Sequence, residues 1–212
     1  MVKQARAAVT YELILDGASQ VFAEFGYERA KLNDIVDRTG VTRGALYFHF
    51  QSKEDLAKAV IDRQHELSIA AVESIAGSAA PALAQIVMLC HEMGRQIVDD
   101  VAVTAGIRLT LEQSAADGPA GPYEGWISAC RELAVQAIAE GDLLATVDPD
   151  ALGRFVIAAF TGVQLVSNVR SRRLDLEARI DEMWGLLLPG LVRPDSSTPL
   201  DAIRAARWTG NQ

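Results

Sequence analysis

An apolar period of 3.6 residues runs through nearly all of this 212-residue chain, and it constrains the fold more than any other feature. Apolar residues return at the spacing of one helix face, and no stretch alternates β-branched and polar residues as a half-buried strand would. Glycine and proline fall between the periodic segments. The chain is therefore expected to be all-α, with helices at about 8–25, 32–38, 43–49, 54–76, 82–98, 101–115, 123–140, 149–170 and 173–188. Pro81, Pro122 and Pro149 stand near helix starts, where a missing N–H breaks no helical bond, and Asp148 is a suitable N-cap before Pro149. Gly118-Pro119-Ala120-Gly121-Pro122 reads as the strongest internal loop. From Pro189 onward the tail is rich in Pro, Ser and Thr, with one short helix after Thr198-Pro199.

The net charge of −8 argues at first against a nucleic-acid partner, but its distribution reverses the inference. Residues 1–53 hold seven cations and six anions, whereas the remainder holds 13 cations and 22 anions. No Asp or Glu occurs between Arg38 and Lys53. An acid-free window in an acidic protein tolerates phosphate, and repulsion elsewhere turns that window toward DNA.

Three short helical segments occupy the first fifty residues. Ile14, Ala18, Val21, Phe22 and Phe25 form one apolar stripe, and Gly26 closes that helix. Leu32, Ile35 and Val36 supply the second inner face. Gly40 then breaks the second helix, Val41 plugs the core, and Thr42 caps a third helix whose inner face is Ala45, Leu46 and Phe50. Helix, glycine turn and short helix make a helix-turn-helix. Arg43, Gly44, Tyr47 and His49, followed by Lys53, are left pointing outward. Arg43 in the first turn suits guanine O6 and N7, and Gly44 lets the backbone approach the duplex. Thr42, Tyr47 and Lys53 suit phosphate, beside the partial positive charge of the helix N-terminus.

The segments Gly26-Tyr27, Asp34-Ile35-Val36, Gly40 through Phe50 and Lys53-Glu54-Asp55-Leu56 resemble the DNA-binding signature of TetR-type regulators. The resemblance implies an N-terminal three-helix DNA-binding head, residues 1–53, and a helical-bundle ligand-binding and dimerisation domain, residues 54–212. It implies a DNA-contact set of Lys31, Thr42, Arg43, Gly44, Ala45, Tyr47, His49 and Lys53. Lys31 departs from the signature, which usually has a capping Thr there, and is assigned a phosphate contact instead. The resemblance also places the dimer interface on the last two bundle helices. The apolar stretch Leu152–Val169 and the segment with Ile180, Met183, Trp184, Leu187 and Leu188 fit that role, with Val163, Val166, Met183 and Leu187 as contacts.

A second resemblance concerns the ligand. Residues 45–57, 105–113, Pro122-Tyr123-Glu124-Gly125-Trp126 and 160–167 are similar to the γ-butyrolactone receptors of antibiotic-producing actinomycetes. It implies a butyrolactone or butenolide autoregulator bound under Trp126, with Gln64 and Thr161 as hydrogen-bond partners. A pump repressor sensing lipophilic drugs, or an orphan relative binding an antibiotic, shares the fold and stays open. An enzyme finds no support, because the chain has no glycine-rich phosphate loop, HExxH or GxSxG, and His49, His65 and His91 are scattered. No metal or cofactor is expected, and Cys90 and Cys130 read as buried reduced thiols. No apolar run approaches the roughly 18 residues of a membrane span, and the polar stretch Met1–Arg6 is no secretory signal, so the cytoplasm is the expected location.

Overall fold

The computed structural model describes residues 2–113 and 121–210. Among these are ten helices: α1 (Val2–Arg29), α2 (Leu32–Thr39), α3 (Arg43–His49), α4 (Lys53–Ala76), α5 (Ala82–Asp99), α6 (Val101–Gln113), α7 (Gly121–Glu140), α8 (Pro149–Ser171), α9 (Leu176–Leu191) and α10 (Leu200–Arg204). β structure among the described residues is limited to one antiparallel bridge, Leu143–Val192. Residues Gly118–Ala120 of the expected loop lie outside the described residues, and Gly121 and Pro122 open α7.

The chain forms two compact units, residues 1–68 with 97–119, and residues 69–96 with 120–212. In the first, Ile14, Ala18, Val21 and Phe22 of α1 close over Ile35 of α2, Leu46 of α3 and Leu56 and Val60 of α4. Each large apolar side chain buried this way stabilises the unit by about 1.5–3 kcal/mol. The expected stripe is in place, with Phe25, Leu32, Val36 and Val41 packed partly buried around it. Ala105 and Leu109 of α6 complete this core. They come from a segment that chain-local periodicity cannot assign to the head.

In the second unit α7 packs on α8, α8 on α9 and α9 on α10. Its fully buried side chains include Leu83, Ile86, Leu143 and Trp184. Cys90 and Cys130 are buried and unpaired with each other, and burial raises both thiols, Cys130 to about 12. Such thiols stay protonated and unreactive. Asp148 caps α8 as expected, accepting from Asp150 N–H at 3.0 Å. The tail is held rather than loose: buried Asp142 accepts from Ser196 Oγ at 2.6 Å and Thr198 Oγ1 at 2.8 Å, and Arg204 donates to Asp181 at 2.7 Å.

Three expectations need correction. The first helix begins at Val2, six residues early, and the last long helix runs through Pro189 to Leu191. Proline this close to a C-terminus removes little, since the helix ends at Val192, whose N–H donates to Leu188 O at 2.9 Å. The third correction concerns α8, which is long and apolar enough, by length and composition, to cross a membrane, with a mean hydropathy of 1.4 over an 18-residue window. Isolated charges such as Arg154 interrupt the run without lowering its average much. One face of α8 packs on α7 and α9, while Val166 and Val169 on the other are 58% and 86% exposed.

Candidate nucleic-acid interface and effector site

The turn between α2 and α3 is set by backbone chemistry. Gly40 adopts φ 71°, ψ 8°, a left-handed conformation that costs glycine nothing, and its N–H closes α2 on Val36 O at 2.9 Å. Thr42, in extended backbone, accepts from Ala45 N–H at 3.1 Å and so caps α3 as expected. Leu46 is fully buried and Ala45 half-buried, so the helix presents its other face to solvent.

That outward face carries Thr42, Arg43, Gly44 and Tyr47, all exposed, and a Cβ on Gly44 would meet only Thr42 Oγ1, at 4.0 Å. Arg43 donates through Nη2 to Asn33 Oδ1, which ties the guanidinium to the neighbouring helix α2. Phe48 is 79% exposed beside Tyr47 at 54%. Sequence reading passed over Phe48 because an apolar residue in an amphipathic helix is assigned to the core by default. An exposed phenyl ring on this face is suited to apolar contact with thymine methyl groups.

Three expected contacts have settings the sequence did not disclose. His49 is half-buried, edge-on to Tyr11 at 5.9 Å between ring centroids and to Phe48 at 5.1 Å, so it only partly faces outward. Lys31 occupies the N-cap of α2 with its side chain exposed. An ammonium has no lone pair to cap with, and Asp34 does the work instead, accepting from Lys31 N–H at 3.1 Å. Lys53 is turned inward: its ammonium donates to Tyr27 O at 2.9 Å and Ala30 O at 3.4 Å and lies 4.3 Å from the centre of the Tyr27 ring. Two of its three donors are thereby engaged within the head, which leaves one for a phosphate.

Of the three expected ligand residues, Trp126 and Thr161 belong to the second unit and Gln64 to the first. Tyr123 joins the first two. Its ring meets Trp126 edge-on at 5.3 Å, its hydroxyl lies beside Thr161, and burial raises its pKa, so the phenol stays neutral. Trp126 is 6% exposed, and its indole Nε1 is buried without a hydrogen-bond partner among the described residues. Gln64 is fully buried, with Nε2 donating to Ser68 Oγ at 2.8 Å and Oε1 unpartnered among the described residues. Buried polar atoms are rarely left unpaired, so both groups are donors or acceptors in waiting. Tyr123 was missed as a site residue, although it stands three residues before Trp126, on the same helix face.

A groove of about 440 Å³ opens between α8 and α9, lined by Gly162, Val163, Val166, Met183 and Leu186, with Arg170 and Arg179 at its edges. Leu187 lines a second hollow, with Leu152 and Phe155. Among the described residues no cluster of His, Cys, Asp or Glu is arranged to hold a metal.

Comparison with known proteins agrees with this geometry. The family model for bacterial regulatory proteins of the tetR family matches residues 14–60, and that for the tetracyclin repressor-like C-terminal domain matches residues 80–193. The A-factor receptor protein of Streptomyces griseus is 36% identical over 194 residues, covering 92% of this chain and 68% of the receptor. A crystal structure of a γ-butyrolactone receptor, an ArpA-like protein, is similar at a TM-score of 0.80 and 28% identity, over 94% of this chain and 96% of that one. CprB from Streptomyces coelicolor, solved in complex with its biological operator sequence, is similar at a TM-score of 0.74 and 30% identity, over 89% of this chain and 91% of that one. Both halves of the molecule thus match together, and the chain belongs to the TetR family of bacterial regulatory proteins, which are ligand-responsive DNA-binding regulators and not enzymes.

Proposed function

We propose that this protein is a homodimeric, cytoplasmic repressor that binds a palindromic operator and leaves it when a γ-butyrolactone or butenolide binds. Residues 1–53 are assigned to DNA and residues 54–212 to ligand and dimerisation. The observation that carries the ligand class is the similarity to the A-factor receptor, which spans the sensing region as well as the head. The chemistry supports it. Trp126, Tyr123 and Thr161 set an apolar ring cover beside a hydroxyl pair, the mixture that a small lactone with a hydroxylated side chain requires. Gln64, in the first unit, is kept as a ligand contact on the resemblance, and its buried Oε1 is an acceptor.

A thermal-shift screen of butyrolactones, butenolides and a panel of lipophilic drugs tests the ligand class. A true ligand at one hundred times its Kd stabilises the protein by about 2.7 kcal/mol and should release it from DNA. Stabilisation by the drug panel alone overturns the proposal. Release follows from linkage: a ligand that favours a state other than the operator-bound one must weaken DNA, and DNA must weaken the ligand by the same factor.

Head contacts divide into reading and positioning. Arg43→Ala is expected to cost roughly 1–3 kcal/mol and to relax preference at one base pair per half-site. Lys31, Thr42 and Tyr47 are assigned phosphate contacts, as is the remaining donor of Lys53, with Gly44 and Ala45 allowing close approach and His49 at the edge. Affinity measured across a set of single-base operator variants checks this. A sequence-blind loss for Arg43→Ala shows that it touches phosphate only. Two-fold symmetry places half-site centres about one turn, roughly 34–36 Å, or a multiple apart.

A further inference from the structure

Helix α1 is interrupted at Gly26, where φ 73° and ψ 178° turn the chain out of the helix. The carbonyls just before the break would lack partners, and α6 supplies them. Arg108 Nη1 donates to Ala23 O at 2.9 Å and to Glu24 O at 3.2 Å, placing a cation at a helix C-terminus, where the dipole favours it. One turn on, Glu112 accepts from Arg108 Nε at 2.7 Å through Oε1 and from Tyr27 N–H at 2.6 Å through Oε2. The fit is close: a Cβ on Gly26 would stand 2.5 Å from Glu112 Oε1 and 2.6 Å from Arg108 Nη2. The pair therefore grips both sides of the Gly26 corner.

Beyond the corner, Tyr27 is bound to the start of α4. Its carbonyl accepts from Lys53, its ring lies under the Lys53 ammonium, and its hydroxyl donates to Glu54 Oε1 at 2.7 Å. Lys53 lies four residues after His49, the last residue of the recognition helix. A continuous set of hydrogen bonds thus runs from α6 through the corner to the start of α4, four residues after that helix ends. Chain order adds to this: the polypeptide leaves the first unit after residue 68 and returns at residue 97, so α6 is how the returning chain holds the head.

We infer that Arg108 and Glu112 are positioning residues for operator recognition, fixing the seat of α3 through the Gly26–Tyr27 corner while touching no DNA themselves. The inference rests on the DNA-binding role of the head. A purely structural pair would lower the melting temperature but leave the affinity of the folded protein unchanged. A positioning pair changes the affinity of molecules that remain folded.

The test uses full-length dimers of wild type, Arg108→Leu, Glu112→Leu, Glu112→Gln and Arg108→Lys, well below their melting temperatures, with folding checked by circular dichroism. The probe is a duplex selected by the wild type from a randomised pool, and affinity is measured across a salt series. The leucine variants are expected to bind roughly threefold to thirtyfold more weakly. Their salt slope should match that of the wild type, since no phosphate contact is lost. Glu112→Gln should lose less than Glu112→Leu but more than nothing, because its single amide oxygen can accept from Tyr27 N–H while its NH2 group then faces the Arg108 Nε–H donor. If a leucine variant does not fold, Arg108→Lys carries the test. It keeps the charge yet cannot reach both carbonyls and Glu112 together, so it should lose affinity measurably. Wild-type affinity in every folded variant, or a loss in which the slope falls by about one phosphate, overturns the inference. A wild type that selects no sequence overturns the DNA reading along with it.

Discussion

Val166→Glu should yield a monomer whose operator affinity is lower by on the order of a hundredfold, about 2.7 kcal/mol. Val166 stands 58% exposed in an apolar groove with Val163 and Met183, on a helix whose outer face has nothing covering it in the single chain. A two-fold interface presents the same residue from both copies, so one substitution introduces two carboxylates. Burying either without a partner costs several kcal/mol, which exceeds what a groove of this size gains from apolar contact. Because Val166 is exposed in the monomer, the fold itself should survive. An isolated head then contacts one half-site, with half the phosphates and no register. Sedimentation velocity and operator titration read the two effects separately. A variant that stays fully dimeric moves the interface off α8 and α9.

Trp126→Ala should abolish the response to ligand while leaving operator affinity within about twofold of wild type. The indole is almost wholly buried, edge-on to Tyr123, and Tyr123 stands beside Thr161. Removing it deletes the apolar cover, a buried N–H donor and the support of the Tyr123 ring together. Truncating a buried tryptophan to alanine also costs roughly 3–5 kcal/mol of stability, so Trp126→Leu belongs beside it. Leucine refills part of the space without restoring the donor, and it should lose less of the response. Operator affinity of both variants with and without a butyrolactone is the measurement. Release of Trp126→Ala at the wild-type ligand concentration would show that the pocket lies elsewhere.

The recognition helix was readable from the chain because its determinants are local. A glycine that must take positive φ, a threonine three residues from the N–H it caps, and an apolar triplet at helical spacing all act within one or two turns. Trp126 and Thr161 were visible only through resemblance, because nothing in the spacing of two residues on different helices says that a tyrosine joins them. Lys53 shows the limit from the other side. On sequence it is one more cation near phosphate, yet carbonyls at positions 27 and 30 and a tyrosine ring compete for it, and they lie across a turn that only packing closes.

By itself, then, the sequence determined the helical class, the positions of nearly all helices, the helix-turn-helix and the family to which the chain belongs, since hydrophobic period, capping and left-handed turns are short-range effects. The tertiary structure alone decided that α6 enters the core of the head through Ala105 and Leu109, and that Arg108 and Glu112 grip the Gly26 corner. It alone decided that Asp142 binds the Ser196–Thr198 tail. The hydrogen bonds among these contacts join residues 54 to 85 positions apart, from the pair Ser196–Asp142 to the pair Arg108–Ala23. Their energies depend on which surfaces meet, and a chain-local pattern carries no record of that.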